Sequence, residues 1–191
     1  MQKKILSLAE INEIERAYKH GVPSLGVAAE ELLHRWRNNL RDEETCIRLI
    51  FLHWYSCSEP VWLTGLKKEM LSIESIIAEF GSENSLTAET LFILGFLGGN
   101  LFAFCFGEES VWQKKCKEFL KRATEIEPTS QLFADWAYFL DESKTTKNLG
   151  TKIAPEIHAR FNGRGALGDY MEHILTRFLM DKSKSETQTS R

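Results

Sequence analysis

Apolar residues return every three or four positions along almost the whole chain, the period of a helix with one buried face. Leu8, Ile11, Ile14 and Tyr18 form the first such stripe, and Leu25, Ala29, Leu32 and Trp36 the second. Cys46, Ile47, Ile50, Trp54 and Cys57 form the third. A fourth passes through Leu66, Met70, Ile73, Ile76, Ile77 and Phe80. The segment LFILGFLGGNLFAFCF, 91–106, is apolar on every side, which predicts a buried central helix. Trp112, Cys116, Phe119, Leu120, Ala123 and Ile126 make the sixth stripe, and Phe133, Trp136 and Leu140 a seventh. Leu167, Tyr170, Met171, Ile174, Leu175 and Phe178 make the last. No stretch alternates with period two for long, and no Asn-Gly or Asp-Gly turn joins two β-branched runs.

The polar positions punctuate the same pattern. Ser7 followed by Glu10 is a capping box, with Leu6 and Ile11 placed to staple it. Asp42 precedes an acidic first turn that suits the positive end of a helix dipole. Thr87 is placed to cap the central helix, Gly107 to stop it and Pro128 to end the sixth. The expected architecture is all-α: a single-domain bundle of stacked antiparallel helical hairpins over residues 1–180, built around the central helix. The polar stretch 141–152 reads as a loop. Residues 181–191 lack apolar side chains and are expected to stay unstructured.

The run CKEFLKRATEIEP, 116–128, resembles the second helix of a tetratricopeptide unit, with Leu120, Ala123 and Pro128 at matching offsets. The resemblance spans only those thirteen residues, and no 34-residue period recurs. It implies stacked helical hairpins and names no partner.

Composition narrows the class. Of 191 residues, 43% are hydrophobic and 27% charged, enough apolar material for a core without disulfides or metal. The net charge of −3 gives no electrostatic basis for general nucleic-acid binding. The 91–106 segment is too short and too interrupted by glycine and Asn100 for a membrane span. Four cysteines without a CxxC pair, and no apolar leader, point to a cytoplasmic protein with reduced thiols.

Candidate chemistry lies in three places. His53 and Cys57 stand four apart on one helix, a spacing that suits a metal or an imidazole-activated thiol, with Glu59 nearby. Yet Cys57 continues an apolar stripe, and Ser58-Glu59-Pro60 reads as a corner in which Ser58 caps the next helix. Packing is therefore the expected role, and no metal or other cofactor is expected. Trp54, Tyr55 and Trp62 around this corner are candidates for an interface. In HARFNGRGALGDY, 158–170, a glycine-rich turn with Arg160, Gly163, Arg164 and Gly165 leads into a helix, an arrangement that can hold an anion. Its GxGxxG spacing follows no strand, so it is no dinucleotide fingerprint. Lys144, Lys147 and Lys152 add local positive charge, and the plain alternative is a turn with exposed arginines.

No complete catalytic constellation stands in the sequence. The expectation is a small cytoplasmic protein that acts by binding another protein, in the manner of an immunity or inhibitor protein that covers a toxin or enzyme. An enzyme or ligand binder using the Arg160–Arg164 turn, and a homo-oligomeric scaffold, are the alternatives.

Overall fold

A computed structural model describes residues 3–38, 41–67, 72–81, 86–99, 103–139 and 150–189, with side chains omitted at 137–139, 150–152 and 178–189. The described residues form ten α-helices and no strand. They are α1 (Leu8–Arg16), α2 (Leu25–Arg37), α3 (Glu43–Ser58), α4 (Val61–Thr64), α5 (Ile73–Phe80), α6 (Ala88–Gly99), α7 (Glu109–Ile126), α8 (Gln131–Phe139), α9 (Gly150–Phe161) and α10 (Gly165–Thr189). Short 3-10 turns follow α1 (Ala17–His20) and α6 (Ala103–Cys105).

The caps form as the polar positions require. Ser7 Oγ accepts from the Glu10 amide while the Glu10 carboxylate accepts from the Ser7 amide. Asp42 accepts from the Thr45 amide at 2.8 Å, and Thr87 Oγ1 accepts from the Thr90 amide at 3.2 Å. Each cap satisfies a donor that the first helical turn leaves without a partner.

Neighbours in sequence are mostly neighbours in space. α1 packs on α2, α2 on α3, α6 on α7, α7 on α8, α8 on α9, and α9 on α10. α10 returns to α1 and α3, so the first and last helices meet. The α6–α7 contact is the tightest. A Cβ added to Gly95 would stand 2.5 Å from Leu120 Cγ, and one on Gly98 would stand 2.3 Å from Cys116 Sγ. Two glycines one turn apart thus let α7 lie directly against α6, whose residues 90–98 are all buried.

Four expectations change. The apolar 91–106 segment is not one helix: α6 ends at Gly99, 100–102 lie outside the described residues, and Phe104 in the following 3-10 turn is exposed. Two successive glycines, 98 and 99, weaken helix propagation there. The stripe from Leu66 to Phe80 is described as helix only from Ile73; Leu66 and Lys67 lie in no helix, and 68–71 lie outside the described residues. Gly65, at φ +74°, stops α4, and Ser72 caps α5 through the Ser75 amide. α9 was carried by no predicted stripe, yet Ile153, Ile157 and Phe161 are buried at spacings of four. Pro155 and the adjoining polar stretch mask that pattern; 140–149 lie outside the described residues. Finally, α10 runs on to Thr189, through the segment expected to lack structure. Lysine, glutamate and glutamine carry little helix penalty, so a helix already nucleated by a packed face can propagate into them.

Candidate functional site

The His53–Cys57 pair is built by α3 but not as a reactive couple. Cys57 Sγ donates to the His53 backbone carbonyl at 3.7 Å, so the thiol turns to the main chain and not to the ring. Burial pushes the His53 imidazole below its ordinary value, against a hydrogen bond with the Cys105 backbone. Cys57 is half-buried at the margin of the core, a shallower position than its stripe predicts. Cys46 and Cys116 are deeper, and burial pushes both thiols up to about 12. All four cysteines are free, and no group of three potential ligands gathers among the described residues. Ser58 closes α3 instead of capping α4. Its hydroxyl donates to the Tyr55 carbonyl at 3.1 Å, and Pro60 takes the cap position of α4.

The three aromatic candidates do not share a surface. Trp54 is buried and Tyr55 half-buried in a cluster with Phe51 and Tyr170, whose ring centroids lie 5.3 to 6.3 Å apart. Tyr18 closes this cluster, its hydroxyl 3.2 Å from that of Tyr55. Burial raises both the Tyr55 and Tyr170 hydroxyls, the latter to about 12. Trp62 points away and is 78% exposed.

Trp62 has other company. Val22, Val27 and Val61 are each about half exposed, and with Trp62 they are four of seven large apolar residues at the surface among those described. All four flank one backbone junction. A Cβ on Gly26 would stand 2.0 Å from the Gly65 carbonyl oxygen, and one on Gly65 would stand 2.4 Å from the Pro23 carbonyl oxygen. The start of α2 and the end of α4 are therefore in direct contact. Thr64, fully buried, donates to the Pro60 carbonyl and accepts from the Leu66 amide. The four-residue α4 is thus held by its own hydrogen bonds and by the glycine contact. The sequence marks none of the valines, because an exposed valine and a buried one look alike in a helical stripe.

The arginines of the glycine-rich turn are brought together, but with their charges engaged. Arg160 Nε donates to Glu156 at 3.0 Å, Nη1 to Glu89 at 3.4 Å, and Nη2 to Glu127. Arg164 takes Glu44 through Nε and Nη2, and Glu89 through Nη1 at 2.6 Å. Glu89 bridges the two. Burial alone would lower both guanidiniums, but these carboxylates outweigh it and hold them above the ordinary arginine value. For Glu156, burial raises the carboxyl; bonds from Ser130, the Leu132 amide and Arg160 outweigh that and leave it lowered. The network joins α3, α6, the end of α7, the start of α8 and the α9–α10 turn. The arginines are largely buried, in contrast to the exposed turn of the plain alternative.

The same turn does hold an anion, and it is a side chain of the protein. Glu15 of α1 accepts from the Ala166 amide in the first turn of α10 at 2.6 Å, and pairs with Arg48 of α3 at 2.7 Å. Both side chains are at most 3% exposed. Burial pushes the Glu15 carboxyl up, against the pull of Arg48 and the amide. Gly165, at φ +60°, makes room: a Cβ there would stand 1.8 Å from Glu15 Oε2. Asn12 Nδ2 donates to the Gly163 carbonyl at 2.9 Å and secures the turn from the other side. Glu15 comes from far along the sequence, so the local glycine pattern could not point to it. Lys144 and Lys147 lie outside the described residues, as does the side chain of Lys152.

No helix among the described residues is long and apolar enough to cross a membrane. The chain matches no family model, no curated protein and no solved structure.

Proposed function

We propose that the protein acts by binding another protein, and that the α2–α4 corner bearing Trp62 is the contact surface. The observation that carries this reading is the exposed tryptophan on a clamped backbone, with half-exposed Val22, Val27 and Val61 close in sequence to the same junction. A tryptophan left in water forgoes the burial that the rest of the core achieves, and tryptophan is the residue most enriched at binding hot spots. A rigid platform adds to this, because little conformational freedom is lost on docking. The narrower form of the reading is an immunity or inhibitor protein that covers a toxin or enzyme. Its support is the compact helical build and a net charge of −3, which would speed association with a basic target. The reducing cytoplasm suits the four free cysteines.

The test is affinity capture from the native extract with the full chain and with Trp62→Ala. The reading expects a stoichiometric partner on the parent chain and its loss with Trp62→Ala, both proteins giving the same far-ultraviolet circular dichroism. Equal capture by the two chains removes the corner from the binding surface.

A further inference from the structure

Residues 3–7 precede α1, lie in no helix and are held by side chains of α2. Lys3 Nζ pairs with Glu31 at 2.6 Å. His34 Nε2 lies 3.3 Å from the Lys3 carbonyl oxygen, and Arg35 Nη1 donates to the Leu6 carbonyl at 2.8 Å. Leu6 packs against the core. Glu31, His34 and Arg35 stand three and four positions apart, so they share one face of α2. We infer that this face is a peptide seat, filled here by the chain's own residues 3–6, and that it takes a segment of a partner protein carrying a lysine or arginine three residues before a leucine. The seat is separate from the Trp62 corner and does not depend on it.

The seat is organised by groups other than its occupant. Arg35 is fixed by Asp42 at 3.1 Å and by Thr45 Oγ1 at 3.3 Å, which leaves Nη1 for the Leu6 carbonyl. Asn38 Nδ2 lies 3.2 Å from His34 Nδ1; donating there, it leaves the ring proton on Nε2, toward the Lys3 carbonyl. Glu31 is 8% exposed, and its Oε2 is buried with no hydrogen-bond partner among the described residues. A buried carboxylate with one oxygen to spare suits a second donor, which a guanidinium supplies.

The occupant is lightly held by comparison. None of residues 3–7 is buried, and the Lys3 side chain is 57% exposed. A segment with so few buried contacts opens at low cost. The bonds to its main-chain carbonyls accept any sequence, whereas the carboxylate and the Leu6 position select one.

Fluorescence anisotropy with a labelled peptide of residues 2–8, QKKILSL, tests the inference on the full chain. In the parent chain the tethered segment competes at an effective concentration on the order of millimolar, so the peptide should bind weakly. Lys3→Glu sets a carboxylate against Glu31, releases the segment and should raise peptide affinity by about tenfold or more. Adding Glu31→Gln to that chain should lower the affinity again by about tenfold, through loss of the charged acceptor. A peptide with arginine in place of Lys3 should bind more tightly than the lysine peptide. Lys3→Ala, which removes the cation without adding repulsion, serves for the same comparison if Lys3→Glu alters the circular dichroism. A folded, released chain that binds no peptide overturns the inference, as does one that binds it equally with and without Glu31→Gln. An arginine peptide that binds more weakly than the lysine peptide overturns the role given to Oε2 of Glu31.

Discussion

Gly163 and Gly165 stand in one turn, both at positive φ, and differ in what surrounds them. Replacing each in turn by alanine separates backbone strain from the buried ion pair. At Gly163, φ is +79° and nothing lies within 4 Å of an added Cβ. The cost there is the left-handed penalty alone, about 1–2 kcal/mol. At Gly165 the same penalty applies, and the Cβ would also fall 1.8 Å from Glu15 Oε2 and 2.9 Å from Arg48 Nη2. Glu15 must then leave the Ala166 amide, and Arg48 loses its counter-ion in a site with almost no water. Disrupting a buried pair costs about 3–5 kcal/mol. Gly165→Ala should therefore cost about 4–7 kcal/mol and exceed Gly163→Ala by about 3 kcal/mol or more. Urea unfolding followed at 222 nm measures the difference. With a slope of about 2–3 kcal/mol/M, the two midpoints should separate by at least about 1 M. Coincident midpoints would refute the claim that Glu15 is locked into the start of α10 by Arg48.

Further outcomes follow from the caps, the thiols and the helix contacts. Asp42→Ala should cost about 1 kcal/mol at pH 7 through loss of the α3 cap. For Asp42, burial raises the carboxyl, but the Thr45 and Arg35 bonds outweigh it and the folded value lies below 3.8. Its contribution is thus complete above the unfolded value and fades as pH falls through the folded one, so urea midpoints of the two proteins should draw together as pH falls below 3.8. A disulfide reagent at pH 8 should label native Cys57 slowly and leave Cys46 and Cys116 unlabelled until unfolding; peptide mapping that finds Cys116 first contradicts the packing described. Gly98→Val drives carbon into Cys116 Sγ and should cost about 3 kcal/mol or more, read from the thermal midpoint. Arg164→Ala should cost about 1.5–3 kcal/mol, because Glu44 and Glu89 lose their charged donor.

The helical class and most element ends were legible because they depend on near neighbours. The capping box at Ser7–Glu10, the Asp42 and Thr87 caps and the apolar α6 each rest on contacts within one or two turns. The candidate sites were harder to read. The apolar stripe of α3 anticipates packing for Cys57 but not its half-buried place at the margin of the core, where its thiol bonds the His53 carbonyl. The glycine-rich turn was read as an anion seat on sound local grounds, but its chemistry was settled by Glu15, Glu44, Glu89 and Glu127, none of them nearby in sequence. Trp54, Tyr55 and Trp62 were grouped by proximity along the chain. Trp54 and Tyr55 share one ring cluster on α3, whereas the chain turns at Pro60 and leaves Trp62 exposed on α4.

By itself the sequence determined the all-α class, the Ser7, Asp42 and Thr87 caps and the buried character of α6. Tertiary structure alone decided where each charge finds its counter-charge and which apolar residues stay in water. The reason is one of range. Helix formation and capping are short-range and follow local order, whereas ion pairing and burial depend on which distant segments meet. That meeting is what leaves Trp62, Val22, Val27 and Val61 at the surface.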